Sequence, residues 1–185
     1  MTRPDLSTLA GDLAADLDGT FTAYVNATAD GIFSGSLRML GDRRDAEDVM
    51  QETYSRAYAA LRGYSGERIR NLKVRGWTWT IAANLCRNRL RSRARKPTAP
   101  LGTLEVAATD AGTEDAALSE IGAILQSALL DLPFPQRAAV VLRHVLDLTY
   151  DDIAAALDRP VGTVKADVHR GLARLRRAYP EETIR

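Results

Sequence analysis

Apolar residues recur at spacings of three and four along most of this chain, and this period constrains the fold more than any other feature. In residues 44–61, for example, Val49, Tyr54, Ala57 and Leu61 fall on one side of a helix. No stretch alternates apolar and polar residues as a half-buried strand does, and no hairpin turn signal lies between such stretches. The sequence therefore predicts an all-α protein.

The helical segments fall into two groups, separated by a stretch rich in Pro, Thr, Ala and Gly that keeps no helical face. We interpret this stretch as a flexible linker between two small helical domains. The predicted division is an N-terminal segment 1–19, a first domain 20–95, the linker 96–112, a second domain 113–179 and a tail 180–185. The predicted helices are 6–17, 21–40, 44–61, 75–95, 114–130, 135–146, 150–157 and 161–179.

The charged residues are strongly segregated, although the net charge of the 185-residue chain is only +1. Residues 68–104 contain a dense series of Arg and Lys but no Asp or Glu, whereas residues 42–52 are rich in acids. A basic face of this kind attracts polyanions such as nucleic acids over the Debye length, about 8 Å in physiological salt. With 45% apolar and 26% charged residues, the composition suits folded domains rather than a disordered chain.

Several functional classes lack the residues that they need. Cys86 is the only cysteine, which excludes an internal disulfide and fits a reducing compartment. The histidines are limited to His144 and His169, and no glycine-rich phosphate loop is present, so we predict no enzyme, metal or cofactor site. No apolar run approaches the roughly 20 residues that span a bilayer, and the acidic N-terminus is unlike a secretory signal. We therefore expect a cytoplasmic protein without membrane insertion.

The most specific pattern lies near the C-terminus, where a short helix, a three-residue connector 158–160 and a longer helix follow one another. Apolar stripes on both helices predict that they pack at a steep angle as a helix-turn-helix, with the second helix free to enter a DNA major groove. The residues predicted to face outward from that second helix are Thr163, Lys165, Asp167, His169, Arg170 and Arg174. The alternative is a basic amphipathic helix of the kind found in any helical bundle.

A second candidate site lies on the predicted helix 75–95. Trp77, Ile81 and Leu85 are spaced by four and predict its buried line, which leaves Trp79 on another face. Aromatic, amide and guanidinium groups together suit single-stranded DNA, because aromatics stack on bases, amides read base edges and arginines pair with phosphates. The residues of this face are Trp79, Thr80, Asn84, Arg87, Asn88 and Arg91. The alternative is a solvated basic face that covers a core helix.

The third candidate is the acidic start of the helix 44–61. Acids in the first turns of a helix complement its dipole, which is one sufficient reason for this pattern. The functional interpretation is a docking surface for a basic partner. Its residues are Asp45, Glu47, Asp48, Gln51 and Glu52.

In this order, the three segments resemble those of the extracytoplasmic function (ECF) sigma factors, and the resemblance covers residues 20–178. DAEDVMQETYSRAY (45–58) is similar to the family's helix for core RNA polymerase, and WTWTIAANLCRNRLR (77–91) to its minus-10 segment. Residues 131–176 resemble the final domain, including L-P-x-x-x-R and the G-T-V-K opening of the recognition helix. The resemblance implies two domains, of the sigma region 2 and region 4 types, and an alternative sigma factor that directs transcription initiation.

The resemblance also implies roles for individual residues. The acidic residues above would contact the clamp helices of the largest polymerase subunit. Asn84 and Arg91, with Tyr64 and Asn71 of the loop 64–74, would engage the melted non-template strand of the minus-10 element. Gly162, Thr163, Lys165, His169, Arg170 and Arg174 would lie at the duplex minus-35 element. An anti-sigma factor is a further expected partner.

The chain departs from the family pattern at two places. Asn88 stands where Asp is frequent, and Ala166-Asp167 follow Lys165 where Ser or Thr and then Arg or Asn are common. An outward Asp167 would accept a hydrogen bond from a cytosine amino group but repel phosphate.

We expect the two domains to be loosely linked in the free protein and to be held at a fixed separation by polymerase, which makes the second DNA contact effectively intramolecular. The competing interpretation is a stand-alone helix-turn-helix regulator, which would bind duplex DNA without polymerase, usually as a dimer. That interpretation leaves the aromatic helix and the acidic helix without a role.

Overall fold

The computed structural model of the protein describes residues 8–95 and 113–178, and the side chains of the second range from residue 122 onward. Every regular element in these ranges is helical, as the sequence predicts. The elements are α1 (Leu9–Ala15), α2 (Leu17–Leu40), α3 (Arg43–Arg62), α4 (Gly66–Arg70), α5 (Val74–Arg95), α6 (Thr113–Leu130), α7 (Phe134–Val140), which a π-helical turn (Val141–Val145) continues, α8 (Tyr150–Leu157) and α9 (Val161–Ala178). The predicted linker 96–112 and tail 180–185 lie outside the described residues. None of the described helices is long and apolar enough to cross a membrane.

The first domain is built on α2, α3 and α5, whose shared core contains buried tyrosines as well as aliphatic residues. The Tyr24 and Tyr54 rings meet edge to face with centroids 5.6 Å apart, and the Tyr24 hydroxyl shares a 2.6 Å hydrogen bond with Thr78 of α5. Since buried hydroxyls need partners, this bond fixes the rotation of α5 against α2. The rotation in turn decides which side chains of α5 reach the surface.

The segment 62–74, which the sequence predicts as a loop, contains the short helix α4. Ser65 caps it by accepting a hydrogen bond from the Arg68 backbone N–H at 3.3 Å. Its Ile69 is buried in the cluster that also contains Leu9 and Leu13 of α1, and α1 packs directly on α4. The N-terminal segment therefore supports the loop that carries Tyr64.

The helix-turn-helix prediction is confirmed in the second domain. Thr149 caps α8 by accepting from the Asp152 backbone N–H at 3.2 Å. Asp158 ends α8 in the left-handed conformation (φ 53°), a region that Asp tolerates better than most residues. Of the residues predicted to face inward, Ile153, Leu157, Val164 and Val168 are buried, and Ala154, Leu172 and Leu175 are half-buried.

The two domains pack against each other, which differs from the loosely linked arrangement that we expected. Helix α5 lies along α8, and Gly76 allows the approach because a Cβ there would come within 3.1 Å of Asp152. The buried Arg137 of α7 donates to the Met39 carbonyl at 2.5 Å, across the boundary between the domains. Gly35 leaves room for the Trp79 ring and for Leu146 of the second domain. Small residues and buried donors thus permit a continuous core.

Candidate nucleic-acid and polymerase interfaces

An open cleft of about 270 Å³ lies beside α5, between the end of α3 and the turn before α4. It brings together three residues predicted to contact DNA: Tyr64, Thr80 and Asn84. The other lining residues are Arg56, Ala60, Trp77 and Ile81. The cleft therefore combines aromatic rings, an amide, a hydroxyl and a guanidinium, which are the groups that stack on a base, read its edge and contact a phosphate.

Tyr64 is held between two neighbours. The Tyr64 ring meets the Trp77 ring edge to face at a centroid distance of 6.2 Å. The guanidinium of Arg68, a residue of α4, lies 3.6 Å from the centroid of the Tyr64 ring. A cation over an aromatic face stabilises the pair by about 0.5–1 kcal/mol at an exposed site. The aromatic wall of the cleft is thus partly fixed before any ligand enters.

The remaining predicted residues of this site differ in accessibility. Asn88 and Arg91 are exposed further along the same side of α5. Arg87 donates to the Asn84 side chain at 2.9 Å and to the Leu157 carbonyl of α8 at 3.0 Å, so the second domain occupies part of its donor set. Asn71 is exposed at the end of α4 and does not line the cleft.

The two tryptophans exchange the positions that the sequence pattern predicts. Trp79, predicted to lie on the exposed face, is buried at 2% exposure, whereas Trp77, predicted in the core, is half-buried and lines the cleft. The reason is that α5 has neighbours on two sides, α2 and α3 on one and the second domain on the other. A Cβ on Gly35 would lie 2.5 Å from the Trp79 ring and 2.8 Å from Leu146, so Trp79 fills the space where the domains meet.

The outward face of α9 is open. Lys165, His169, Arg170 and Arg174 are exposed and Thr163 is half-buried. A Cβ added at Gly162 would meet no atom within 4 Å. The helix thus presents one hydroxyl, one imidazole and several cations to solvent near its N-terminal half, which is the part of a recognition helix that reaches base edges.

Asp167 does not face outward, contrary to the prediction. Its side chain is only 5% exposed, and its two oxygens lie 2.7 Å from Arg159 and 2.7 Å from Arg170. The position is at the edge of the apolar stripe of α9, next to the buried Val164 and Val168, so the carboxylate turns toward the connector. A direct contact of Asp167 with a cytosine is therefore incompatible with this arrangement.

The acidic residues of α3 are divided between internal ion pairs and solvent. Asp45, with 15% side-chain exposure, pairs with both Arg89 and Arg93 of α5. Asp48 also pairs with Arg89, at 3.0 Å, but remains 48% exposed. Glu47 and Glu52 make i,i+4 pairs with Arg43 and Arg56, and Gln51 is exposed. The pairs of Glu47, Asp48 and Glu52 are accessible, so they contribute little to stability and leave carboxylate oxygens for a partner.

Sequence reasoning missed Arg56 and Trp77 as members of the cleft, and Arg159 as a neighbour of Arg170. Arg56 belongs to an i,i+4 pair with Glu52, which looks like an ordinary surface pair. One feature of the sequence did point to Trp77: Tyr64 and Trp77 flank the short loop, so both side chains could be expected beside the same cleft.

Cys86 belongs to neither of these two surfaces. It is buried in α5, and burial raises the pKa of its thiol to about 12. A thiol in this state is a poor nucleophile and a poor metal ligand, because both roles need the thiolate. Among the described residues, no cluster of His, Cys, Asp or Glu is arranged to hold a metal ion.

Comparison with known families matches both domains. The model for sigma-70 region 2 matches residues 24–96, and the model for sigma-70 region 4 matches residues 122–175. The ECF RNA polymerase sigma factor SigW of Bacillus subtilis (strain 168) is 35% identical over 170 residues, which cover 85% of this chain and 87% of SigW. This chain belongs to the ECF sigma factors. The ECF sigma factor SigE of Mycolicibacterium smegmatis is 36% identical over 155 residues, covering 82% of this chain and 58% of the relative.

Solved structures share the fold of this ECF sigma factor. The sigma factor RpoE in complex with the anti-sigma factor NepR from Bartonella quintana superimposes with a TM-score of 0.70 and 22% identity, over 85% of this chain and 95% of RpoE. CnrH in complex with the cytosolic domain of CnrY gives a TM-score of 0.65, also at 22% identity, over 92% of this chain and 95% of CnrH. The all-α fold with sigma region 2 and region 4 domains is thereby confirmed.

Proposed function

We propose that this alternative sigma factor captures one unpaired base of the minus-10 element in the cleft beside α5. The observation that carries the proposal is the convergence of Trp77, Tyr64 and Asn84 on one open cleft, next to the Arg56 guanidinium. Trapping an extruded base in such a pocket shifts the melting equilibrium of the duplex without hydrolysis of a nucleotide by this chain. The protein would act in the cytoplasm, with no covalent chemistry of its own.

The outward face of α9 would contact the duplex minus-35 element, with Lys165, His169, Arg170 and Arg174 as the principal groups. Their exposure, and the position of α9 after the tight connector, support this assignment. Cations that contact phosphates supply affinity, and contacts with base edges supply sequence preference.

The exposed acids of α3 would dock on a basic surface of the core polymerase, the clamp helices of the largest subunit being the expected partner. Glu47, Asp48 and Glu52 keep 44%, 48% and 44% of their side chains exposed, which supports a second, intermolecular role for the same carboxylates. Asp45 would act mainly by holding α3 against α5 through its pairs with Arg89 and Arg93.

The packed domains imply a change of arrangement during promoter binding. Arg87 donates to the Leu157 carbonyl and α8 packs along α5, so the second domain covers one side of α5. We infer that core polymerase draws α8 away from α5, which frees that side for the DNA strand. An anti-sigma factor would oppose this opening by binding the closed form, and the solved RpoE structure named above is a complex with one, NepR.

The proposal is tested by run-off transcription with purified core polymerase and a pool of genomic promoter fragments, with and without this protein. We expect discrete protein-dependent transcripts that start downstream of a shared pair of sequence elements. Asn84→Ala should then reduce permanganate reactivity of the melted minus-10 bases, whereas Arg95→Ala, at the exposed end of α5, should not. Unchanged reactivity in Asn84→Ala would contradict the cleft assignment. Binding of duplex DNA without any binding to core polymerase would instead favour the stand-alone regulator.

A further inference from the structure

Asp167 is unusual for a residue of a DNA-facing helix because its carboxylate is buried. Among the side chains that the structure describes, Asp167 carries the only buried carboxylate of an Asp or Glu. Burying a carboxylate is costly unless cations and hydrogen-bond donors surround it. The neighbours that compensate this carboxylate therefore indicate why it is there.

Those neighbours are two arginines from different parts of the helix-turn-helix. Arg170 lies one turn further along α9 and donates from Nη2 to Oδ1 at 2.7 Å. Arg159 comes from the connector between α8 and α9, and its Nη1 is 2.7 Å from Oδ2. The Oδ2 contact lacks the angle of a hydrogen bond, so it is an ion pair rather than a directional bond.

The two guanidinium groups keep most of their donors while the carboxylate is enclosed. The side chains of Arg159 and Arg170 are 33% and 53% exposed, compared with 5% for Asp167. A guanidinium has five N–H donors in a rigid fork, and a single carboxylate oxygen uses only part of them. The cluster of one carboxylate and two guanidiniums thus has a net positive charge, and its cations are the accessible part.

We propose that Arg159 is a further DNA contact of this sigma factor and that Asp167 is the positioning residue that holds Arg159 and Arg170 for it. The inference rests on the proposed binding of duplex DNA by α9. The shared carboxylate fixes the spacing of two long side chains before DNA arrives, which lowers the conformational entropy lost on binding. The expected ligand of Arg159 is the phosphate backbone, because guanidinium and phosphate form strong charge-assisted pairs, whereas Arg170 would be held toward the base edges that supply sequence preference.

Simple electrostatics and a positioning role predict opposite results for removal of the carboxylate. If Asp167 only contributes negative charge, Asp167→Asn should strengthen binding to every DNA. If it positions the arginines, the same change should weaken the preference for a correct upstream element. Asp158→Asn is the matched control, because Asp158 is exposed in the same connector, has no ion pair among the described residues, and Asn also tolerates its left-handed backbone.

The experiment uses the full chain with core polymerase and a promoter fragment recovered by the run-off assay. The comparison fragment has its upstream element scrambled. We expect Asp167→Asn to lose about fivefold of the discrimination between the two fragments, in the range of coupled neighbouring residues. Asp158→Asn should retain the discrimination of the unmodified protein. Equal discrimination by the two Asn variants would overturn the positioning role.

Arg159 is tested by the salt dependence of the same binding, a readout that a purely structural role leaves unchanged. Arg159→Ala should reduce the slope of log K against log salt by about 0.9, the value for one phosphate contact, and Arg159→Lys should restore it. An unchanged slope in Arg159→Ala would contradict the DNA contact. These two variants test the DNA contact of Arg159 even if Asp167→Asn fails to fold.

The behaviour of the unmodified protein separates an error about α9 from an error about Asp167 and Arg159. If the unmodified protein with core polymerase already treats both fragments alike, the assignment of α9 to the upstream element is wrong. If the unmodified protein discriminates but Asp167→Asn and Arg159→Ala behave like it in discrimination and salt slope, only the inference about these residues is wrong.

Discussion

Helices α5 and α9 both carry candidate DNA contacts, but they are built in different ways. Helix α9 has one buried side, centred on Val164 and Val168, and an opposite side that is open. Helix α5 is enclosed by α2 and α3 on one side and by α8 on another, so its accessible surface is reduced to a strip along the cleft. One recognition surface is therefore ready in the closed protein, and the other is partly covered.

Access to α5 therefore depends on the position of the second domain. Arg87 illustrates this dependence, since one of its donors is engaged by the Leu157 carbonyl of α8. In the part of the chain that the structure describes, exposed residues such as Lys165 and His169 on α9 have no comparable contact with the first domain. The two surfaces should consequently respond differently to any change that locks, loosens or titrates the interface between domains.

The largest effect is expected from locking the domains together. In the double variant G76C/D152C, the two Cβ atoms start about 3.1 Å apart, and a small shift brings them to the roughly 3.5–4.5 Å of a disulfide. Cys86 should not interfere, because burial raises the pKa of its thiol to about 12 and keeps it protonated. When oxidised, the variant should lose promoter melting with core polymerase in proportion to the crosslinked fraction, measured by permanganate reactivity.

Reduction of that disulfide with dithiothreitol should restore melting, which separates the effect of the crosslink from that of the two substitutions. The single variants G76C and D152C, treated with the same oxidant, serve as further controls. Full melting by the oxidised double variant would show that α5 and α8 need not separate, and the closed arrangement would then have no regulatory consequence.

The next largest effect is expected at Arg137, which joins the domains from within the core. Burial lowers the pKa of its guanidinium, and its donors reach the carbonyls of Met39, Leu130 and Leu132 at 2.5–3.0 Å. Arg137→Met should lower the free energy of unfolding by about 3 kcal/mol or more, because two buried carbonyls and one partly buried carbonyl lose a charged donor. Urea denaturation measures the change, and Arg176→Met on the exposed side of α9 should shift it by less than about 0.5 kcal/mol.

A smaller loss is expected at Gly35 of α2, against which both the Trp79 ring and Leu146 of the second domain pack. A Cβ would lie 2.5 Å from the Trp79 ring, so Gly35→Ala should cost about 1–3 kcal/mol of unfolding free energy through overpacking. Trp79 fluorescence can be measured by itself when Trp77 is replaced by Phe. Its emission maximum should move to longer wavelength as the domains separate and water reaches the ring. Gly122→Ala, where a Cβ meets nothing within 4 Å, should be neutral or slightly stabilising. Identical behaviour of the two alanine variants would refute the close packing at Gly35.

The same contrast between the helices explains how much the sequence could reveal. In α9 and α8 a single apolar stripe defines the buried side, so the helix-turn-helix and its inward residues follow directly from spacing. Helix α5 has apolar residues on more than one side because it meets partners on more than one side. A rule that assigns one buried stripe per helix therefore exchanged Trp77 and Trp79.

Long-range contacts account for what the sequence could not show. Nothing in the local pattern indicates that Asp167 turns inward to Arg159, since that choice depends on where the connector returns against α9. The cleft likewise forms from α3, the turn before α4 and α5, and the support of α4 by α1 involves a segment that matches no family motif. Such arrangements depend on tertiary packing between elements that are distant along the chain.

The smallest effect is expected from alkaline pH, and it should originate in the first domain. Burial raises the pKa of Tyr54 to about 12 and that of Tyr24 further above its ordinary value of 10.0. Between the ordinary and the raised pKa, the folded state keeps protons that the unfolded state has released. The free energy of unfolding should therefore fall as the pH rises above about 10, by up to about 1.4 kcal/mol per pH unit for each fully buried tyrosine.

Urea denaturation at pH values from about 8 to 11 tests this prediction. Tyr54→Phe should make the decline shallower, since one buried titrating group is gone, even though the 2.8 Å hydrogen bond to Thr28 is lost at neutral pH. Phe134→Leu, which removes a partly buried ring of the second domain without removing a titrating group, should leave the slope of the unmodified protein unchanged. If both variants lost the alkaline sensitivity equally, the buried tyrosines of the first domain would not be its source. The loss of stability at high pH would then not distinguish the first domain from the second.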